Sequence, residues 1–302
     1  MNDWYIAFAP LQGYTDAIYR RTHWECAGGV KEYYSPFVRM EGTEPRRRDM
    51  RDISPDVCMD VPTVPQVIAK DGDEFARLCD AVQSSGWNRI DLNMGCPFPM
   101  QTRSGRGSGL LQHPDRLEEI ARVMQQRGDV TFSVKMRMGQ ECVDEGLKAM
   151  SIINEMPLAH VTLHPRLGRQ QYKGTADIAT FERLCELCRH PMVYNGDIVS
   201  VDEIESWQKR KPVIKGVMIG RGLLARPWML CEREPMEVLK EMHQKIYRHA
   251  TEKLCGESQI IARLHAFWEY IAIGHKEHKA VMKATSLRRY DEAVALVFGR
   301  GN

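Results

Sequence analysis

The sequence predicts an α/β protein: a (β/α)8 TIM barrel followed by an all-helical C-terminal domain. Three observations carry this. Eight short β-rich runs alternate with helical patterns over about the first 230 residues. The last two runs end in glycine turns, "NGD" (195–197) and "GRG" (220–222). After "GLLARPWMLCEREP" (222–235) the alternation stops and helical patterns alone remain. The competing fold, an open doubly wound sheet, calls for a glycine-rich turn after its first strand. This first strand ends "APLQGYTD" (9–16) instead.

The strand runs are "WYIAFAP" (4–10), "KEYYSPF" (31–37), "TVPQVIA" (63–69), "NRIDLNM" (88–94), "TFSVKMRM" (131–138), "HVTLHP" (160–165), "MVYNGDI" (192–198) and "GVMIGRG" (216–222). Several read as nearly continuous apolar runs, which suits parallel strands covered on both faces. Between them, "DEFARLCDAVQSS" (73–85) carries Phe75, Leu78, Cys79 and Val82 at helical spacing. "HPDRLEEIARVMQQRG" (113–128) has Pro114 near its start and Gly128 past its end, the asymmetry of a helix. "SVDEIESWQKR" (200–210) opens on Ser200, a good N-cap. The tail begins "PMEVLKEMHQKIYRHATEKL" (235–254). Pro235 and the charges before it place the boundary, giving a barrel domain over 1–234 and a helical domain over 235–302.

The totals narrow the class. A chain of 302 residues, 43% hydrophobic and 27% charged, can bury a core without covalent staples. "MNDWYIAFAPLQG" (1–13) shows no secretory leader, and no apolar run approaches the length of a membrane span. Nine scattered cysteines then read as a reduced, cytoplasmic protein rather than a disulfide scaffold. The net charge of +2 neither demands nor excludes a nucleic-acid partner. Cys185 and Cys188 form a C-x-x-C within a predicted helix, with no second ligand pair at suitable spacing. No metal is expected. A monomer is the working expectation.

In a barrel, functional groups gather at the C-terminal ends of the strands. Here those ends carry "APLQG", Gln66, Asn93 with Cys96 just beyond, Lys135 and Arg137, His164 and Arg166, "NGD" and "GRG". The two glycine turns suit a phosphate, since backbone N–H groups can approach an anion there and Arg221 adds charge. Either turn alone would be an ordinary connection. Lys135 interrupts an apolar strand. It is either a rim lysine reaching water or a fixed cation beside an electron-rich cofactor such as a flavin. Gln66 could serve a flavin's pyrimidine edge as donor and acceptor. A buried cysteine is usually inert packing, which covers Cys26 and Cys79. Cys96 differs, because it sits in a loop after a strand, between Gly95 and Pro97, where a thiol can act as nucleophile or general acid.

Taken together, "APLQGYTD", "DLNMGCP…GSGLL", "VKMRMG", "HPRLGRQQYKGTAD", "NGDI" and "GRGLLARPW" resemble, in this order, the tRNA-dihydrouridine synthases. The resemblance covers roughly residues 5–230. It implies an FMN-bearing barrel and a C-terminal helical domain that helps hold tRNA. It further implies reduction of the C5=C6 bond of one uridine, with NADPH recharging the flavin. Residue by residue, it implies that Pro10 and Leu11 lie along the flavin and that Gln66, Lys135 and His164 hold its ring. Asn195, Gly196, Asp197, Gly220 and Arg221 would hold the ribityl chain and phosphate. Asn93, Arg137 and Tyr172 would contact the uracil, and Cys96 would donate the proton. Two departures stand out: Leu11 where the family usually has Met, and "HPRLGR" (164–169) where "H-G-R-T-R" is common.

A base inside folded tRNA must be extruded to reach a flavin. For grip on the backbone, "KEHKAVMKATSLRRY" (276–290) offers a basic segment, with Tyr247, Trp268 and Tyr290 as aromatic candidates in the tail. "EPRRRDMR" (44–51) is a second basic run, equally well read as a solvated loop. Two other functions fit parts of the pattern. An FMN barrel acting on a free pyrimidine would not need the basic tail. A tRNA-binding protein without turnover would not need Cys96 or the flavin rim.

Overall fold

The computed structural model describes residues 4–58, 60–210 and 214–299. Nine parallel strands form one sheet: β1 (Tyr5–Phe8), β2 (Glu32–Tyr34), β3 (Thr63–Val64), β4 (Gln66–Val67), β5 (Arg89–Met94), β6 (Thr131–Arg137), β7 (Leu158–His164), β8 (Met192–Tyr194) and β9 (Gly216–Ile219). Their order is β3-β2-β1-β9-β8-β7-β6-β5-β4. The two end strands are halves of one stretch, broken at Pro65. Proline has no N–H for a ladder, and the chain changes partners there. Thr63 and Val64 pair with Tyr33 and Tyr34, whereas Gln66 and Val67 pair with Asp91 and Leu92. The Pro65 carbonyl still accepts from Asp91 N at 2.9 Å. The sheet therefore closes into a barrel of eight staves, and all eight predicted strands are present.

The crossover helices include α1 (Ala17–Cys26), α2 (Gly72–Ser84), α3 (Pro114–Gln125), α4 (Val143–Ile153), α5 (Ile178–Leu187), α6 (Val201–Gln208) and α7 (Arg221–Ala225). Four start on a side-chain cap. Asp16, Asp71, Asp177 and Ser200 accept from the backbone N–H three residues on, at 3.1, 2.9, 3.0 and 3.3 Å.

The expectation of strands apolar on both faces needs correction for β5–β7. Ile90, Leu92, Phe132, Val134 and Met136 face the helices and join the main core. Their alternate neighbours Asp91, Asn93, Ser133, Lys135 and Arg137 point into the barrel, as period-2 geometry requires. The opposite half of the interior is apolar, built from Tyr5, Ala7, Ala9, Val64, Val193 and Met218. One half of the lumen is thus polar and the other is lined mostly by small and aliphatic groups.

At the N-terminal end of the barrel, Tyr5 donates to Glu32 at 2.6 Å and Lys215 Nζ to His160 Nδ1 at 3.2 Å. His160 Nε2 lies 3.0 Å from the Tyr34 hydroxyl. Burial pushes the His160 imidazole down to about 3, so the ring is neutral. This plug stabilises the barrel floor, far from the rim where chemistry gathers.

After the barrel come α8 (Pro235–Lys253), α9 (Glu257–Trp268), α10 (His275–Met282) and α11 (Leu287–Phe298). They dock on α1: Lys245 pairs with Glu25 and Arg263 with Asp16, both at 2.7 Å, and Tyr19 meets Phe267. The apolar core runs unbroken from barrel to tail. Trp268 Nε1 donates to the Tyr290 hydroxyl at 2.7 Å, and that hydroxyl meets His243 Nε2 at 2.8 Å. Both aromatic residues are fully buried. The expectation that Trp268 and Tyr290 could stack on RNA is therefore corrected: they are the centre of the helical packing.

Candidate active site

Register brings the polar strand ends together. Gln66 lies beside Asp91, Asn93 beside Lys135, and Arg137 beside His164. Gln66 Nε2 donates to Asp91 Oδ2 and Asn93 Nδ2 donates to Gln66 Oε1, each at 2.7 Å. Asn93 Oδ1 accepts from Gly95 N at 3.0 Å and Cys96 N at 2.8 Å. These bonds use one hydrogen of each amide nitrogen; Asn93 keeps a little exposed surface, and Gln66 has none.

Cys96 is buried against Phe37 and Ile68. Its carbonyl accepts from Ser108 N and Ser108 Oγ, both at 3.0 Å. Gly107 passes so close that a Cβ there would lie 2.4 Å from the Cys96 carbonyl oxygen, at a φ of +58°. Burial raises the Cys96 thiol pKa above its ordinary value, against the opposing pull of the Phe98 N–H, Arg137, Lys135 and Arg39. The group at this position is a thiol, not a thiolate, at neutral pH.

Lys135 is half-buried, and its ammonium has no hydrogen-bond or ion-pair partner among the described residues. Burial, with Arg137 nearby, lowers its pKa to about 8; Asp91 works in the opposite direction. His164 Nε2 lies 3.0 Å from Arg166 Nη1. A guanidinium can only donate, so Nε2 accepts and Nδ1 carries the proton. Burial and the surrounding cations Arg137, Lys135, Arg166 and Arg221 hold His164 well below its ordinary pKa, hence neutral.

Arg137 ties two loops together. Its Nε donates to Gly95 O at 2.9 Å, and its Nη1 to Leu167 O at 3.0 Å and Gln171 O at 2.7 Å. Tyr172 closes the outer side, with the Arg221 and Arg137 guanidinium carbons 4.7 and 5.6 Å from its ring centre. Gln171, before it, has a φ of 52°.

Across the mouth, Asn195 Nδ2 donates to Met218 O at 2.7 Å. Asp197 accepts from Arg221 at 3.1 Å and from both terminal nitrogens of the buried Arg166. A Cβ on Gly196 would meet the Tyr194 hydroxyl at 2.3 Å, so a side chain here would have to displace the Tyr194 ring. Gly220 lies beside Ala9 and Leu11, and a Cβ there would have ordinary contacts of 3.5 Å with both. The helix that Gly220 caps has only five residues, so its dipole is small, and the positive charge here is Arg221, paired with Asp197. Pro10 and Leu11 enter a turn in which Leu11 N donates to Thr15 Oγ1 at 2.8 Å.

The predicted site residues therefore share one end of the barrel. Sequence reasoning passed over Asp91, Ser133, Gly107 and Ser108, and left Arg166 without a role. Asp91 had one available signal, an acid inside an apolar strand.

The donor set tests the fit of a flavin. The Lys135 ammonium, the His164 Nδ1–H and the Asn93 amide lie on neighbouring strand ends. An acceptor-rich heterocycle complements that set, and the pyrimidine edge of an isoalloxazine is one. Among the described residues, no group of three or more His, Cys, Asp or Glu could hold a metal ion. No helix among them is long and apolar enough to cross a membrane.

Comparison with solved structures supports the fold alone. Histamine dehydrogenase from Rhizobium sp. 4-9 superposes with a TM-score of 0.56 at 12% identity, over 88% of this chain and 49% of that one. A variant of NCR from Zymomonas mobilis gives 0.52 at 10% identity, over 78% and 86%. Sequence relatives are closer. tRNA-dihydrouridine synthase B of Shewanella oneidensis is 28% identical over 280 residues, 87% of this chain and 85% of its own length. The tRNA-dihydrouridine(16) synthase of Neisseria meningitidis serogroup A is 28% identical over 230 residues, 74% and 68% of the two chains. The family model described as dihydrouridine synthase matches residues 7–296, nearly the whole chain. With that match spanning barrel, rim and helical tail, the chain belongs to the dihydrouridine synthase family.

Proposed function

We propose that this protein reduces the C5=C6 bond of a specific uridine in tRNA to 5,6-dihydrouridine, with FMN as its resident cofactor and NADPH as reductant. The observation that carries the reading is the placement of Cys96, tied through its N–H to Asn93, beside the strand end that bears Lys135, in a chain of this family. FMN, when bound and reduced, would supply the hydride for C6 of the uracil. The protein does the rest. Lys135 places positive charge where a reduced isoalloxazine gathers negative charge. His164 would donate to the ring from Nδ1, and Gln66, bonded to Asp91 and Asn93, would support that end of the site from beneath. Pro10, Leu11, Asn195, Gly196, Asp197, Gly220 and Arg221 hold the ribityl chain and phosphate. Asn93, Arg137 and Tyr172 hold the uracil, and the Cys96 Sγ–H delivers the proton to C5.

Cys96 works only while protonated. Two alkaline limbs follow for product formation measured with saturating tRNA: one at about pH 8, where Lys135 loses its charge, and one above the ordinary thiol range near pH ~8.5, where Cys96 loses its proton. Lys135→Arg should remove the first limb, and a fall still centred below the thiol range in that variant would contradict the assignment of Cys96.

The substrate must be extruded from the tRNA fold, at a cost of a few kcal/mol. The loop after Cys96 leaves Phe98 and Met100 exposed, apolar surface on which a neighbouring base can stack. The barrel, 1–234, carries the chemistry and the helical domain, 235–302, the grip. Lys276, Lys279, Lys283, Arg288 and Arg289 are exposed there and make no ion pair among the described residues. Binding of tRNA should weaken about tenfold or more between ~50 and ~200 mM salt. Arg288→Glu with Arg289→Glu should flatten that dependence; an unchanged slope would move the grip elsewhere.

The deciding assay incubates the protein with FMN, NADPH and unmodified tRNA. One uridine should gain two hydrogens by mass spectrometry, and free uridine should react far more slowly. Equal reduction of free uridine would favour a small-pyrimidine enzyme.

A further inference from the structure

We propose that Asp91 is a positioning residue: its carboxylate fixes the direction of a buried hydrogen-bond relay, Ser133–Asp91–Gln66–Asn93, that ends on the backbone of Cys96. The purpose of the relay rests on the reading of Cys96 as proton donor; its existence does not.

Asp91 sits in the middle of β5, facing the lumen, with no exposed surface. Ser133 Oγ donates to its Oδ1 at 2.6 Å and Gln66 Nε2 to its Oδ2 at 2.7 Å. An ionised carboxylate only accepts. Gln66 must therefore turn its nitrogen toward Asp91 and its oxygen toward Asn93. That oxygen also only accepts, so Asn93 must offer Nδ2 to it, at 2.7 Å. Asn93 Oδ1 is then left facing the loop, where it accepts from Gly95 N and Cys96 N. One charge thus sets the direction of two amides, each of which could otherwise flip. A flipped Asn93 would set its NH2 against two backbone N–H groups and release the loop that carries the thiol. Burial pushes the Asp91 carboxyl up to about 6, while the bonds from Ser133 and Gln66 and the charge of Lys135 on the neighbouring strand favour the ionised form, which prevails at neutral pH. A buried carboxylate is a poor choice for stability alone, since an apolar residue of similar volume usually serves as well.

Asp91→Asn removes the constraint. Ser133 Oγ can accept as well as donate, so Asn at position 91 can lie either way; the far end of the relay then fixes neither amide, and only the Gly95 and Cys96 N–H groups hold Asn93 in its orientation. Asn93→Asp removes the dependence altogether, because a carboxylate at position 93 accepts from the loop in either orientation. The test is amide hydrogen exchange of Gly95 and Cys96 in the full-length protein. Asp91→Asn should speed exchange at these two amides about tenfold, while those in β7 keep their rates. Adding Asn93→Asp should return Gly95 and Cys96 to within about twofold of the unmodified protein. Ser133→Ala, which keeps the charge, should leave them within that same twofold. Should Asp91→Asn not fold, Gln66→Met cuts the relay one step further along. It should speed the same amides, and Asn93→Asp should again restore them.

Unchanged exchange in Asp91→Asn, or in Gln66→Met, would overturn the proposal. So would equally fast exchange in the double variant, which would mean that Asp91 merely supports the barrel. None of these readings needs flavin or tRNA. Exchange behaving as described in a protein that makes no dihydrouridine would keep the relay and reject the function.

Discussion

Cys96→Ala should take up FMN and be reduced by NADPH at the normal rate, yet form dihydrouridine about 10²–10⁴-fold more slowly. The substitution removes one sulfur from a small cluster with Phe37 and Ile68, and with it the contact of the Phe98 N–H to that sulfur, but leaves the other bonds that hold the loop. Those bonds run through backbone: Asn93 Oδ1 to Cys96 N, and Ser108 to Cys96 O. The loss therefore reports the proton, not the fold. Cys96→Ser should rescue little, because a hydroxyl holds its proton far more tightly than a thiol. Single-turnover mass spectrometry of tRNA treated with the pre-reduced variant measures the effect. Dihydrouridine at the normal rate would remove Cys96 from the mechanism.

Gly107→Ala should damage the same step from a distance. The new Cβ would lie 2.4 Å from the Cys96 carbonyl oxygen and 2.9 Å from Cys96 Cβ, with φ at +58°. A non-glycine residue held there stores about 1–3 kcal/mol of strain. The loop can relieve the clash only by moving Cys96, and a shift near 1 Å can cost about 10²-fold in rate. Product formation should fall by that order, with NADPH-driven flavin reduction nearly unaffected and the melting temperature lowered by several degrees. Gly128→Ala is the control, since a Cβ there meets nothing within 4 Å. A Gly107→Ala protein indistinguishable from that control would show that the buttress does not position the thiol.

How much of this was legible depended on distance along the chain. The alternation of strand and helix revealed the barrel, and each strand end revealed one rim residue. Pro65 inside "TVPQV" was visible, but only closure of the sheet shows that it splits one stave between two neighbours. Lys135 and Arg137 drew notice as a period-2 pair at a strand end. Ser133 and Asp91 follow the same period one layer lower, where a rim-centred reading does not look. The Arg166–Asp197 contact joins loops 31 residues apart, which the fold alone brings together. Gly107 and Ser108 entered as part of a motif; the physical reason for them, support of the Cys96 carbonyl, needed coordinates. In the tail, Tyr290, Ala293, Val294 and Val297 recur at helical spacing and are all buried. That stripe could have marked Tyr290 as core rather than RNA surface.

The most direct test follows flavin colour in one anaerobic cuvette. Protein loaded with FMN should bleach on addition of stoichiometric NADPH, and unmodified tRNA should then restore the visible absorbance, with one dihydrouridine formed per flavin reoxidised. A protein that takes up no flavin, or a bleached one that tRNA cannot restore, would contradict the account.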